Sequence, residues 1–314
     1  MQILEHAFTP AVNLKTEMRS QNSTGISGAV EIDTPDGMCL GKETTHSYSD
    51  FFISEEVIRE RCMRELTLVP GIGPKRAYEY QRKGLTNLTD LKHTCRREPA
   101  EEIADVIENG TPGEIIRVFQ DAHRGNDPLL LGFSHALPKE ELLYFDIETL
   151  GMFQSPIILF GCGVWKGNEL KVTQYLLRDI EEEPAALYLT GQIFKKHAHV
   201  VTYNGKGFDI PYLNNRLAYY GEKMVIPALH FDLLYPTRRL YGARVSNCCL
   251  GTIETQVLQI PREDDLPGYL VPAYYQNYLR TRNFRVLDPI VKHNELDVAN
   301  LALLLRTECE AVYG

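Results

Sequence analysis

The residues best suited to chemistry lie in three short segments. In Tyr144-Phe145-Asp146-Ile147-Glu148-Thr149, Asp146 and Glu148 stand two apart in an apolar run, so a strand projects both from one face. Carboxylates that close repel unless a cation or strong donors lie between them. In the segment from Val200 to Asp209, an apolar strand runs into the glycine-rich turn Asn204-Gly205-Lys206-Gly207 and meets an Asp at a helix start. In Lys292-His293-Asn294-Glu295-Leu296-Asp297, His293 and Asp297 are four apart and share a helix face, among Val291, Val298, Leu301 and Leu304. Each segment alone has a plainer reading: a polar strand edge, an Asp helix cap, a surface His–Asp pair. Together they offer four carboxylates and one imidazole. Two divalent cations about 3.5–4 Å apart use such oxygen donors and leave room for phosphate oxygens and a water. An imidazole with a near-neutral pKa suits removal of a proton from that water.

Positioning these groups needs a layered α/β fold. Leu142–Thr149, Ile157–Trp165 and Leu170–Leu177 read as three consecutive strands with short turns, a meander. A helical stretch over 180–196, a strand His199–Tyr203 and a helix from Asp209 to Tyr220 follow. Then come a strand Ala228–Leu234 and helices near 246–258, 269–281 and 288–312. A meander continuing into βα units predicts a mixed sheet flanked by helices. Upstream, 28–49 read as short strands around the turn Thr34-Pro35-Asp36-Gly37, and 1–27 are polar, patternless and expected to be partly ordered at best. Helical periodicity begins at Ser54, a cap followed by Glu55 and Glu56, and runs in short pieces to His123. The expected organisation is an N-terminal extension (1–50), a smaller helical domain (51–127), a linker (128–140) and a catalytic α/β domain (141–314).

With 314 residues, 44% hydrophobic and 24% charged, the chain can bury a substantial core. Its longest apolar run, Pro156 to Trp165, is about half of a membrane-spanning helix, so no membrane partner is expected. The first residues lack a secretory pattern. Seven scattered cysteines form no CxxC pair, which argues against disulfides and zinc and for a reducing cytoplasm; Cys162 reads as a core residue. The net charge of −9 disfavours a polyanionic partner until its distribution is considered. Residues 61–97 carry nine basic and three acidic residues, a +6 window that leaves −15 elsewhere. A local basic patch on an acidic chain is the footprint of phosphate-backbone binding, although a solvated helix face is the commoner fate of such a run.

The order D-x-E-T, N-x4-D, H-x3-D resembles the three exonuclease motifs of the DEDD superfamily on a ribonuclease-H-like fold, and more narrowly the YprB-type ribonuclease-H-like domain family. His230-Phe231-Asp232-Leu233-Leu234 and Arg262-Glu263-Asp264-Asp265-Leu266-Pro267-Gly268 extend that resemblance, which covers about 141–312. It implies that Asp146, Glu148, Asp209 and Asp297 hold two Mg²⁺ or Mn²⁺ ions. His293 would be the general base, with Thr149 and Asn204 near the substrate. One departure stands out: the His lies four residues before the last Asp, the spacing those enzymes give a Tyr base, whereas their His bases lie five before it.

Within the basic window, the run from Leu66 to Ala77 resembles a helix-hairpin-helix module. Gly71 and Gly73 permit a tight turn, Pro74 suits a first helical turn, and Lys75 and Arg76 sit where amides at a helix start can grip a phosphate. A packing or protein-contact hairpin would look the same. The expected activity is metal-dependent hydrolysis of phosphodiester bonds from a 3′ end, with DNA favoured over RNA. The rivals are an RNA-processing or structure-specific endonuclease and a non-catalytic nucleic-acid-binding scaffold.

Overall fold

The computed structural model describes residues 25–49, 51–152, 154–262 and 266–314. The expectation for 1–24, and the Glu263-Asp264-Asp265 part of the family match, lie outside the described residues.

One seven-stranded sheet runs in the order β1-β2-β5-β4-β3-β6-β7. Its strands are β1 (Ala29–Thr34), β2 (Gly37–Ser47), β3 (Leu142–Thr149), β4 (Ile157–Lys166), β5 (Glu169–Leu176), β6 (His199–Thr202) and β7 (Leu229–Asp232). β3, β4 and β5 form the expected antiparallel meander, and β6 and β7 add in parallel beyond β3. The hairpin β1–β2 continues the same sheet, with β2 antiparallel to β5 from Leu40↔Leu176 to Ser47↔Glu169. The fold class is therefore the expected mixed α/β sheet flanked by helices.

Four helices make up the N-terminal helical part: α1 (Glu55–Met63), α2 (Pro74–Arg82), α3 (Arg97–Asn109) and α4 (Pro112–Asp121). Ser54 caps α1 as its sequence suggests, its hydroxyl accepting from Val57 N. Around the sheet lie α5 (Glu183–Lys196), α6 (Asp209–Tyr219), α7 (Leu234–Tyr241), α8 (Leu250–Gln256), α9 (Val271–Thr281) and α10 (Asp288–Tyr313). The helix α7 was not anticipated: Leu233 and Leu234 extend an apolar run that reads as strand, yet Pro236 in its first turn suits a helix start.

Side chains alternate across β3, and each face has its own core. Leu143, Phe145 and Ile147 pack with α5, α6 and α9 residues such as Ala185, Leu213 and Tyr275. Leu142 and Tyr144 pack on the other face with Val298, Leu301 and Leu305 of α10. That second core continues without a break into Ile58, Leu66, Phe119 and Phe133 of the helical part and its connection to the sheet. Asp146 and Glu148 share the parity of Tyr144, so β3 delivers both carboxylates to the α10 face. Cys162 is buried in β4, as expected.

Candidate active site

The site lies at the C-terminal end of β3. Asp146 and Glu148 come from that strand, Asp209 from the first turn of α6, and His293 and Asp297 from the second and third turns of α10. The sequence motifs thus converge in space, and specific contacts fix each side chain.

Asp146 accepts the Asn294 side-chain amide at 2.8 Å, and Asn294 in turn takes a hydrogen bond from Gln174 Nε2 at 2.9 Å. Gln174 also donates to the Val291 carbonyl at 2.8 Å, so β5, α10 and β3 are joined by one buried polar chain. Close approach depends on Gly161 of β4: a Cβ there would lie 2.4 Å from Asn294 Oδ1 and 2.6 Å from Val298 Cγ2.

Asp209 corrects the sequence reading of its role as a cap. Phe208 occupies the cap position, and Asp209, one residue inside, accepts from the Ile147 backbone N–H of β3 at 3.2 Å. The preceding turn is shaped by Asp232, at the end of β7, which accepts from the backbone N–H groups of Asn204 (2.8 Å) and Lys206 (3.0 Å). Asn204 itself takes a left-handed conformation (φ 64°), which Asn tolerates better than most residues, and its side chain is exposed at the turn. Farther along α6, Tyr212 donates to the carbonyls of Gly151 (3.0 Å) and Ser155 (2.8 Å), while Arg216 holds the Gln154 carbonyl and the fully buried Glu183. The loop that leaves the site after Thr149 is thereby pinned to the helix that carries Asp209.

Burial and mutual charge act together on the carboxylates. Burial, then the charges of Asp209, Asp297 and Glu148, push the Asp146 carboxyl well above the usual range, against the pull of Asn294. Burial raises Asp209 too, with Asp232 and Asp297 adding to it, despite bonds from backbone amides. Such repulsion is what a bound cation relieves.

His293 Nε2 faces Glu148 Oε1 at 3.6 Å and Asp297 Oδ2 at 3.7 Å. Its Nδ1 lies 3.2 Å from an Arg262 guanidinium nitrogen. A guanidinium only donates, so Nδ1 accepts and the neutral ring carries its proton on Nε2. Arg262 also pairs with Asp297 and with the wholly buried Glu254 of α8, which takes a further bond from Asn300 at 2.8 Å. Arg262, Glu254, Asn294, Gln174 and Asp232 were not picked out as site residues. Their only signals were a polar residue in an apolar stretch, or a place inside a segment matched for other reasons.

The donor set, buried carboxylate oxygens in mutual repulsion, is of the chemical type that suits a hard divalent cation. As placed, no three His, Cys, Asp or Glu side chains among the described residues close around a single ion, and Asp297 is engaged by Arg262 instead.

A family model, RNase_H_2 of the RNase_H superfamily, matches residues 143–308, more than half of the chain. The chain belongs to the RNase_H superfamily. It is also 34% identical over 183 residues to a Bacillus subtilis (strain 168) protein named "Uncharacterized protein YprB"; the match covers 55% of this chain and 44% of that one. The chain thus spans less than half the length of that relative. Membership of the RNase_H superfamily agrees with the mixed sheet and supports nuclease-type activity on nucleic acid, for which divalent metals such as Mg²⁺ are the usual cofactors. Among the described residues no helix is long and apolar enough to cross a membrane. Within this RNase_H-superfamily domain, Thr149 sits at an irregularity in the β3–β4 pairing, where the register shifts after Glu148.

The basic segment lies elsewhere, in the helical part. Gly71 has φ 80° and Gly73 is the cap of α2, with Pro74 in its first turn. Arg76 donates to the Gly71 carbonyl at 2.5 Å, so it braces the turn, while Lys75 is exposed. A second guanidinium, Arg96, packs on Gly71 so closely that a Cβ there would be 2.5 Å from its Nη2, and its Nε is buried with no hydrogen-bond partner among the described residues.

Proposed function

We propose that the chain is a divalent-metal-dependent exonuclease that hydrolyses nucleic acid from a 3′ end, with DNA favoured over RNA. The observation that carries this reading is the convergence of Asp146, Glu148, Asp209 and Asp297 about the C-terminal end of β3, where burial first and neighbouring carboxylates second raise the carboxyls of Asp146 and Asp209. Asp146, Glu148, Asp209 and Asp297 would hold the ions. Bound there, two ions would supply positive charge for the scissile phosphate and lower the pKa of water.

The protein's own groups do the rest. Asn294 and the Ile147 amide fix two carboxylates, so little reorganisation is needed when substrate arrives. His293, 3.6 Å from Glu148 and 3.7 Å from Asp297, is the imidazole placed to serve as base; its ring must first turn off the anchored Arg262 guanidinium, so that Nε2 can present a lone pair. Thr149, at the end of β3, and Asn204, in the turn after β6, would lie beside the substrate. The hairpin around Gly71 and Gly73, with Lys75, Arg76 and Arg96, is suited to hold the nucleic-acid backbone without reading bases.

The test is incubation of end-labelled DNA and RNA, single- and double-stranded, with Mn²⁺ or with chelator. Stepwise shortening that needs the metal supports the reading. Internal cuts point to an endonuclease of the same fold, and binding without cleavage to a scaffold.

A further inference from the structure

Arg262 has only 6% of its side chain exposed, between α8 and α10. One fork of its guanidinium meets Glu254, which has no exposed surface, and the same fork reaches Asp297; the other nitrogen faces His293 Nδ1. Glu254 Oε1 accepts from Arg262 and Asn300 and Oε2 lies against Arg262 Nε as an ion pair, so the guanidinium is anchored from behind and presented forward to the acid cluster. A buried guanidinium stays charged at every pH of interest. It therefore places a permanent positive charge on Asp297, a carboxylate that raises both Asp146 and Asp209. Removing one partner of such a buried pair leaves uncompensated charge, which is strongly destabilising.

We propose that Arg262 is a positioning residue, the resident counter-cation of the acidic cluster. It lets four carboxylates pack together without a divalent ion, and it competes with an incoming ion for Asp297. The proposal rests on the reading of the cluster as metal-binding. Two cations that share one carboxylate are linked: loss of the guanidinium removes support from the ion-free protein and removes like-charge repulsion from the ion.

The test uses the full chain as R262Q and R262K, with melting temperature in chelator and along a Mn²⁺ titration, and Mn²⁺ affinity by calorimetry. R262Q should melt below the parent in chelator, gain more from Mn²⁺, and bind Mn²⁺ roughly three- to tenfold more tightly, as expected when a nearby positive charge is lost. R262K, which keeps the charge but not the fork, should fall between. Failure of R262Q to fold in chelator, with folding restored by Mn²⁺, would give the same support. Equal or weaker Mn²⁺ affinity in R262Q overturns the proposal. Should R262Q fold in neither condition, R262K decides, and parental Mn²⁺ affinity together with parental stability in chelator rejects the counter-cation role. A parent that shows no Mn²⁺ response removes the metal-site reading itself, and this inference with it.

Discussion

Asn294 on α10 donates to the Asp146 carboxylate on β3 at 2.8 Å, across 148 residues of chain. That bond sets how deeply the last helix seats on the sheet, and hence how far Asp297 and His293 stand from the β3 carboxylates. Seating requires the absence of a side chain at Gly161, directly beneath Asn294 and Val298. G161A should therefore cost about 1–3 kcal/mol, the usual penalty of overpacking, and depress activity beyond what the stability loss explains. Denaturant melts and turnover at a temperature where both proteins are folded would separate the two effects. Parental activity would show that the helix has slack at this point.

The carboxylates should behave as one unit. D146N and D209N should abolish cleavage yet leave the metal-free protein as stable as the parent or more so, since each removes like-charge repulsion. Stabilisation by Mn²⁺ should vanish in both. Retention of full cleavage in D146N would remove Asp146 from the site.

For His293, H293A should lower turnover by roughly 10²–10⁴-fold, the usual worth of a general base, while Mn²⁺ affinity persists. An imidazole held by Arg262 for structure alone would instead lose metal affinity and leave the pH–rate profile unaltered.

At the hairpin, K75A/R76A should make the log–log salt slope of DNA binding shallower by about 1–2 units, with affinity lost on every sequence alike. Because Arg76 also braces Gly71, R76A alone should loosen the turn, seen as faster amide exchange at Ile72 and Gly73. Unchanged binding at all salt concentrations would assign the hairpin to packing.

A pH effect should come from Glu308 of α10, buried completely and paired with Thr237. Burial pushes its carboxyl up to about 8, with Asp232 adding to it and Thr237 opposing. Because the folded value exceeds the unfolded one, this stability is full below about 4.5 and is lost as pH rises through about 8. E308Q should flatten that decline and, at pH 9, exceed the parent by on the order of 3 kcal/mol. Parallel stability curves for the two proteins between pH 5 and 9 would refute it.

Much of this was legible from local pattern. The meander, the parallel strands and the helices bearing Asp209 and Asp297 follow from apolar periodicity, and the three acidic segments from their order. What stayed hidden depends on pairings between distant segments. Gln174 is a lone polar residue in an apolar strand until β5 is laid beside α10, and Glu254 and Arg262 are ordinary charges until α8 brings them to Asp297. Asp209 looked like a helix cap because its hydrogen-bond partner, the Ile147 amide, lies on another element. The strands of 29–47 were visible, but their partner β5 begins more than a hundred residues later, beyond the reach of any turn rule.

That late pairing bears on how the molecule is made and how it can be cut. β2 emerges early in synthesis, yet its partner β5 arrives only past the middle of the chain, and Glu295 of α10, which pairs with Lys42 (3.2 Å) and His46 (3.3 Å), near the end. Until β5 arrives, the edge of β2 away from β1 is unpaired, and such non-local closure slows folding. A fragment trimmed to 141–314 would have the opposite defect, a bare edge along β5 open to pairing with another copy. A fragment that keeps this edge covered must begin before β1, and so must carry the intervening helices along with the sheet.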